Sequence, residues 1–242
     1  MSSTSDIAVD TADGPMPATV ATPDGDARGG VVVVQEAFGI TDYITDVCRR
    51  LADAGWYAVA PALFHRQGSP VFAYDDYDHI GPVMQQLTAG GITTDLDGAF
   101  DHLAAAGFSA SRSAVVGFCM GGSVTLYAAT IRRLGAAVTF YGGGVGHGRF
   151  GLPGLVELAP SLGTPWLGLY GDLDKGISID EVEALRAAAA TAPVDTEVVR
   201  YADADHGFHC DGRPAVFNQA AADDGWRRTL AWFDDHIDGT RR

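Results

Sequence analysis

Runs of β-branched residues alternate with helix-like segments along most of this chain, and this alternation constrains its fold more than any other feature. Val31–Val34 form an unbroken valine run, which is typical of a strand buried on both faces of a parallel sheet. Further strands are predicted at "WYAVAPAL", "SAVVGF", "AAVTFYGGG", "TPWLGLYGD" and "DTEVVRYAD". The alternation predicts an α/β fold with a mostly parallel central sheet and helices on both faces.

Helical periodicity and capping residues separate the predicted strands. Asp42 is a candidate N-cap for "YITDVCRRLADAG", and Thr93 or Thr94 for a helix that ends at Gly107. The other helices are predicted at Gly121–Arg133, after a capping box from Ser178 to Glu181, in "DDGWRRTLAWFDDHI" and, within the irregular stretch 64–90, near Val83–Leu87.

The segment before Val31 carries the turn signals "TADGPMP" and "TPDGDARGG". These signals predict an antiparallel hairpin at the edge of the sheet. No repeat, charge block or linker divides the rest of the sequence, so residues 1–242 are interpreted as a single domain.

The charge balance limits the classes of partner. The chain has 16 Lys and Arg residues against 31 Asp and Glu residues, a formal net charge of −15. Such a chain repels nucleic acid and anionic membrane surfaces, so a small-molecule partner is expected. We expect a monomer or a homodimer, with no cofactor and no metal.

The first residues, "MSSTSDIAVD", lack a basic stretch followed by an apolar core, and no apolar run is long enough to span a membrane. Cys48, Cys119 and Cys210 lie far apart, and an odd number of cysteines does not close a disulfide framework. Reduced thiols and a cytoplasmic location are therefore expected.

The stretch "GFCMG" places Cys119 at the junction between a predicted strand and a predicted helix. This matches the nucleophile elbow, in which a strained turn flanked by glycines projects the central side chain above the carboxyl edge of the sheet. The helix N-terminus there favours the thiolate form of a cysteine. The alternative interpretation is that Cys119 is a buried apolar residue, the usual state of a free cysteine.

An elbow enzyme supplies a carboxylate and then a histidine later in the chain. "LYGDLDKGI" offers Asp174, preferred because it lies further along the loop, and Asp172. "YADADHGFHCD" offers His206, preferred over His209 because Gly207 allows close approach. The cluster "HGFHCD" also fits metal ligands, but no second ligand cluster completes such a site.

Together with "QEAFG" after the first long strand, these motifs resemble the dienelactone hydrolase family, also called carboxymethylenebutenolidases, of the α/β-hydrolase fold. The resemblance covers about residues 31–237 through the motifs QE-x-FG, PAL-x-x-R, G-F-C-x-G-G, G-x-x-D-x-x-I and A-x-HGF. It implies a catalytic triad of Cys119, Asp174 and His206.

The resemblance also implies that Glu36 helps to activate the thiol and that the N–H groups of Ala37 and Met120 form the oxyanion hole. Glu36 could instead be a carboxylate at a loop end in water. Aromatic residues beside the motifs, and one arginine, are candidates for binding substrate: Phe38, Tyr141, Phe208 and Arg66.

One position departs from the family pattern. The best-studied enzymes bind the substrate carboxylate with arginines, one of them a few residues after the catalytic histidine, where this chain has Cys210. Arg66 and Arg213 are alternative candidates, so the pattern places anionic dienelactone in doubt as the substrate.

The expected activity is hydrolysis of activated esters or lactones through a thioester acyl-enzyme. Two alternatives remain open at this point. A thioesterase or acyltransferase could use the same triad, and a non-catalytic scaffold could retain the fold without the chemistry.

Overall fold

The computed structural model describes residues 2–237, and one eight-stranded sheet organises them. The sheet order is β1-β2-β4-β3-β5-β6-β7-β8. The strands are β1 (Ser3–Thr11), β2 (Gly14–Thr22), β3 (Gly30–Val34), β4 (Tyr57–Pro61), β5 (Ser113–Phe118), β6 (Ala136–Phe140), β7 (Trp166–Gly171) and β8 (Thr196–Tyr201). The predicted domain, 1–242, also includes residues 1 and 238–242, which lie outside the described range.

The first two strands form the predicted antiparallel hairpin at one edge, and β2 pairs antiparallel with β4. Every later pairing, from β4–β3 to β7–β8, is parallel. The sequence prediction of a mostly parallel sheet with an antiparallel edge hairpin is therefore confirmed.

Seven α-helices connect or follow the strands in the described part of the chain. They are α1 (Asp42–Asp53), α2 (Tyr77–Met84), α3 (Ala89–Ala105), α4 (Met120–Ile131), α5 (Leu155–Leu158), α6 (Ile179–Ala189) and α7 (Gln219–His236). Short 3₁₀ turns lie at His65–Gln67, Ala110–Arg112 and Ala159–Ser161. Within residues 2–237 no helix combines the length and the apolar character needed to cross a membrane.

The valine run of β3 divides the core into two layers because successive side chains of a strand point to opposite faces. Val32 and Val34 belong to one buried cluster with residues of α3, α4 and α6, whereas Val31 and Val33 belong to a second cluster with residues of α1 and α7. All four valines are fully buried. Helices therefore cover both faces, as the unbroken apolar run predicts.

Two predicted helix starts are wrong, the first by one residue and the second by five or six. Thr41, not Asp42, caps α1, because its backbone is extended and its side chain accepts the N–H of Ile44. Thr88 caps α3 in the same way. Thr93 lies inside that helix, where its hydroxyl donates to the carbonyl of Ala89.

The helix predicted near Val83–Leu87 is also displaced. The helix α2 instead occupies Tyr77–Met84, and the chain beyond it continues as tight turns, in which the N–H of Gln86 bonds the carbonyl of Val83. The capping box from Ser178 to Glu181 is present as predicted.

Candidate active site

Cys119 lies between β5 and α4 in a conformation that few non-glycine residues adopt. Its φ of 55° and ψ of −115° place it at the N-cap of α4, and its side chain is partly exposed. Strain of this kind persists only where the surrounding structure fixes the turn. Because its side chain is partly exposed, the interpretation of Cys119 as a buried apolar residue is wrong.

Glycines fix this turn by allowing backbone to pack on backbone. A Cβ atom on Gly117 would lie 2.1 Å from the carbonyl oxygen of Gly121, and one on Gly121 would lie 2.3 Å from that of Val34. The Cys119 N–H bonds the carbonyl of Phe140 on β6. The turn at Cys119 therefore packs against the carboxyl ends of both β3 and β6.

His206 and Asp174 meet above this edge from the loops that follow β8 and β7. The Nδ1 atom of His206 lies 2.6 Å from Oδ2 of Asp174, whose side chain is 2% exposed. The other oxygen of Asp174 accepts the N–H of Gly176 at 2.7 Å. This carboxylate therefore has a fixed orientation. Because it binds Nδ1 of the imidazole, Nε2 is the nitrogen left to interact with other groups.

Cys119 interacts with the same imidazole. Burial lowers the pKa of His206, but its charge interaction with Cys119 and its hydrogen bond to Asp174 outweigh this effect and raise the pKa well above its usual value. Both side chains line one cleft. The structure thus brings together the three residues Cys119, His206 and Asp174.

Asp172 and His209, the alternative candidates for the acid and the histidine of the triad, have other partners. Asp172 forms a two-point ion pair with Arg200, at 2.7 and 2.8 Å. His209 is 1% exposed, and its Nδ1 atom lies 2.6 Å from the Tyr43 hydroxyl. Burial, together with the charge of Arg50, lowers the pKa of His209 to about 3. Neither residue lines the cleft.

The "HGFHCD" segment does not converge on one point. Its thiol, Cys210, lies 3.4 Å from the Tyr74 hydroxyl, while His206 and His209 face Asp174 and Tyr43. Among residues 2–237 no three His, Cys, Asp or Glu side chains are grouped as ligands for a metal ion.

Glu36 is fully buried, so it is not a carboxylate at a loop end in water. Neither of its carboxyl oxygens has a hydrogen-bond partner within the described residues. Burial raises its pKa to about 7, although the nearby charges of Arg213 and His206 act in the opposite direction. Glu36 is therefore poised to change protonation near neutral pH.

This burial predicts a pH-dependent stability. Between pH 4.5 and about 7 the unfolded chain releases the Glu36 proton while the folded protein retains it, so stability falls as the pH rises. Across that interval the free energy of unfolding should decrease by about 3 kcal/mol more in the wild type than in Glu36→Gln. Urea unfolding of both proteins across the interval measures this difference.

Glu157→Gln provides the matched control, because Glu157 is exposed and remote from Glu36 in the fold. This variant should keep the steeper pH dependence of the wild type. Equal pH dependence in wild type and Glu36→Gln would contradict the assignment of a buried, protonated Glu36.

The backbone N–H groups of Ala37 and Met120 are free of backbone acceptors in the described part of the chain. Met120 begins α4, where the first N–H groups have no partner within the helix. Ala37 follows Glu36 directly after β3. Both donors thus lie at the same edge of the sheet as Cys119.

The residues expected to bind substrate are not in the cleft wall. Arg66 bonds both oxygens of the buried Asp95 and pairs with Asp13, so its charge is used to join α3 to the hairpin. Phe208 is fully buried against Phe140 and Tyr201.

The two other aromatic candidates are also buried. The Phe38 ring packs edge-on against Tyr74 and lies under the Arg213 guanidinium. The Tyr141 ring centroid lies 5.1 Å from that of His206, so Tyr141 supports the imidazole from behind the cleft.

The cleft beside Cys119 has a volume of about 270 Å³, and sequence reasoning missed several of the residues that line it. These are Met84, Gly143, Arg149, Lys175, Gly176, Ile177 and Asp205. The sequence does contain a signal for one of them, Lys175, because it is the only lysine of the sequence and directly follows the candidate catalytic Asp174. Arg149 carries no such signal, because only the folded loop after β6 brings it to the cleft.

Comparison with known proteins identifies the family. The family model described as "Dienelactone hydrolase family" matches residues 16–237. The chain belongs to the dienelactone hydrolase family. It is 41% identical over 227 residues to a Salmonella typhimurium protein named "Putative carboxymethylenebutenolidase", covering 90% of this chain and 82% of that one.

Solved structures agree with this assignment. A crystal structure titled "Putative Dienelactone Hydrolase" from Klebsiella pneumoniae is 37% identical, with a TM-score of 0.89 over 96% of this chain and 98% of the other. An acylaminoacyl peptidase from Pyrococcus horikoshii, 12% identical, matches with a TM-score of 0.75 over 100% of this chain and 42% of its own, which shows a shared fold alone. The protein is thus a dienelactone hydrolase-like hydrolase of the α/β-hydrolase fold.

Proposed function

We propose that this protein hydrolyses activated esters or lactones with Cys119 as nucleophile, His206 as general base and acid, and Asp174 as the residue that orients the imidazole. The observation that supports this most strongly is the 2.6 Å contact between His206 Nδ1 and Asp174 in a cleft that Cys119 also lines. This arrangement leaves Nε2 to exchange a proton with the sulfur.

In the first half of the reaction, the Cys119 thiol gives its proton to His206, and the sulfur attacks the substrate carbonyl carbon. The carbonyl oxygen becomes an oxyanion, which the N–H groups of Ala37 and Met120 stabilise. The carbon–oxygen bond to the leaving group then breaks, and the imidazolium returns its proton to that oxygen. The product of these steps is a thioester on Cys119.

In the second half, His206 removes a proton from water, and the resulting hydroxide attacks the thioester carbonyl. Collapse of this adduct releases the carboxylic acid and the thiolate, which the imidazolium stabilises. Asp174 remains ionised throughout and holds the imidazole in one tautomer. The ionised fraction of Glu36, which is present near neutral pH because its pKa is about 7, provides a second buried acceptor for the thiol proton when substrate fills the cleft.

Because a thiolate leaves more readily than an alkoxide, the adduct of an alkyl ester tends to return to substrate unless the leaving oxygen is protonated as it departs or is already stable. Enol lactones, aryl esters and thioesters avoid this problem. We therefore expect much higher kcat/KM values for phenyl acetate and an enol lactone than for ethyl acetate. A steady-state panel that includes a phenyl thioester measures this, and equal values for ethyl and phenyl acetate would contradict the proposal.

A further inference from the structure

Lys175, the only lysine of the sequence, lines the same cleft as Cys119. The turn after β7 fixes its backbone, because the N–H of Asp174 bonds the carbonyl of Gly171 and Oδ1 of Asp174 accepts the N–H of Gly176 at 2.7 Å. Lys175 itself is exposed and carries its amine on a flexible four-carbon stem. The amine can therefore move within the cleft while the backbone that carries it stays in place.

The amine of Lys175 is not held in an ion pair. Among residues 2–237 no carboxylate lies within ion-pair distance of it. The two carboxylates of the cleft wall have another partner, since Asp174 binds Nδ1 of His206 and Asp205 accepts the backbone N–H of His206. An amine without a bound counter-ion is free to approach an electrophile in the cleft.

The imidazole of His206 and the side chain of Lys175 lie in the wall of one cleft, and the residue that binds the imidazole, Asp174, directly precedes Lys175. In the proposed reaction, the water that attacks the thioester must lie within reach of this imidazole, because His206 removes its proton. An amine on this side of Cys119 can take the place of that water.

We propose that Lys175 is an acyl acceptor, so that the thioester on Cys119 partitions between hydrolysis and transfer to the lysine. The inference rests on the proposed function, because it requires the thioester. The neutral Nζ atom of Lys175 attacks the thioester carbonyl carbon and forms a carbon–nitrogen bond, and one of its protons passes to His206. The carbon–sulfur bond then breaks, which leaves an amide on Lys175 and a thiolate on Cys119 beside the imidazolium.

This transfer is infrequent in each turnover, but its product is permanent. An amine attacks only in its neutral form, and lysine amines are mostly protonated near neutral pH, so water attacks most of the thioesters. The thioester is hydrolysed in every cycle, whereas the amide is stable. The acylated fraction of Lys175 should therefore grow with the number of turnovers, and its yield per turnover should rise with pH.

The test incubates the wild type and Cys119→Ala with 4-nitrophenyl acetate at the same ester concentration and for the same time. Hydroxylamine then removes thioesters, and mass spectrometry of the digested protein measures the acetyl group that remains on Lys175. Acetylation of Lys175 should be about tenfold or more higher in the wild type, because the thioester holds the acetyl group next to the amine.

The added substitution Arg133→Lys, made in both proteins, provides an internal reference. Arg133 is exposed before β6, at the edge of the sheet opposite to Cys119. An amine at this position reacts only with ester from the solvent, so its acetylation should be equal with and without the thiol. Circular dichroism confirms that both proteins are folded.

Equal acetylation of Lys175 in the wild type and in Cys119→Ala would overturn the inference, since the ester would then acylate the lysine directly. An unmodified Lys175 after prolonged turnover that does form acetylated Cys119 would also overturn it, and would leave the proposed function intact. Hydrolysis that persists in Cys119→Ala, with no acetylated Cys119 in the wild type, would instead refute the proposed function itself.

Discussion

Replacement of Cys119 by alanine is expected to lower kcat/KM for phenyl acetate by about 10⁴-fold or more, because the proposed nucleophile and its pairing with His206 are removed together. The residual rate would come from the oxyanion hole and from substrate binding. Steady-state kinetics on purified protein measures the loss, and circular dichroism confirms that the variant is folded.

Cys48→Ala is the matched control for this experiment. Cys48 is a fully buried thiol on α1, and it does not line the cleft. The variant should therefore keep the wild-type kcat/KM. Activity of Cys119→Ala within a factor of about ten of the wild type would exclude Cys119 as the nucleophile.

The second large effect concerns the elbow itself. In Gly117→Ala the new methyl group would lie 2.1 Å from the carbonyl oxygen of Gly121 and 2.4 Å from the Thr125 hydroxyl. Backbone must move to remove this overlap, which separates β5 from α4. We expect the free energy of unfolding to fall by about 4 kcal/mol or more, measured by urea unfolding.

Gly90→Ala makes the same chemical change where space is available. Gly90 lies in the first turn of α3, and a Cβ there would have no neighbour within 4 Å. Alanine should be neutral or stabilise the protein by up to about 1 kcal/mol, since it favours helix and restricts the unfolded chain. If the two variants were equally stable, the elbow would not depend on close backbone packing at Gly117.

Sequence reasoning predicts most of the fold because the relevant signals are local. The valine run of β3 and the glycines around Cys119 lie within a few residues of the features that they predict. Local signals do not fix helix starts, since neighbouring residues such as Thr41 and Asp42 are both good caps. The backbone conformation of the loop decided between them.

The site was predictable only to the level of candidates. Asp174 and Asp172 are almost equivalent in sequence, and the choice depends on Arg200, which β8 brings from a distant part of the chain. Arg66 follows a family motif but pairs with Asp95 on α3. Such partners follow from tertiary packing, which no local pattern encodes.

The sequence does not predict that Glu36 is buried. This burial depends on groups that come from the elements after β6 and β8, among them Tyr141 and Arg213. The raised pKa of Glu36 is a consequence of that enclosure and not of its neighbours in sequence.

The most direct measurement is the capture of the acyl-enzyme. Wild-type protein mixed with 4-nitrophenyl acetate, quenched in acid within the first turnovers and digested, should yield one acetylated peptide by mass spectrometry, with the acetyl group on Cys119 and labile to hydroxylamine. Asp174→Asn should accumulate less of it. Hydroxylamine-labile acetylation at another residue, or turnover of the ester without any acetylated Cys119 during the steady state, would contradict the proposed mechanism.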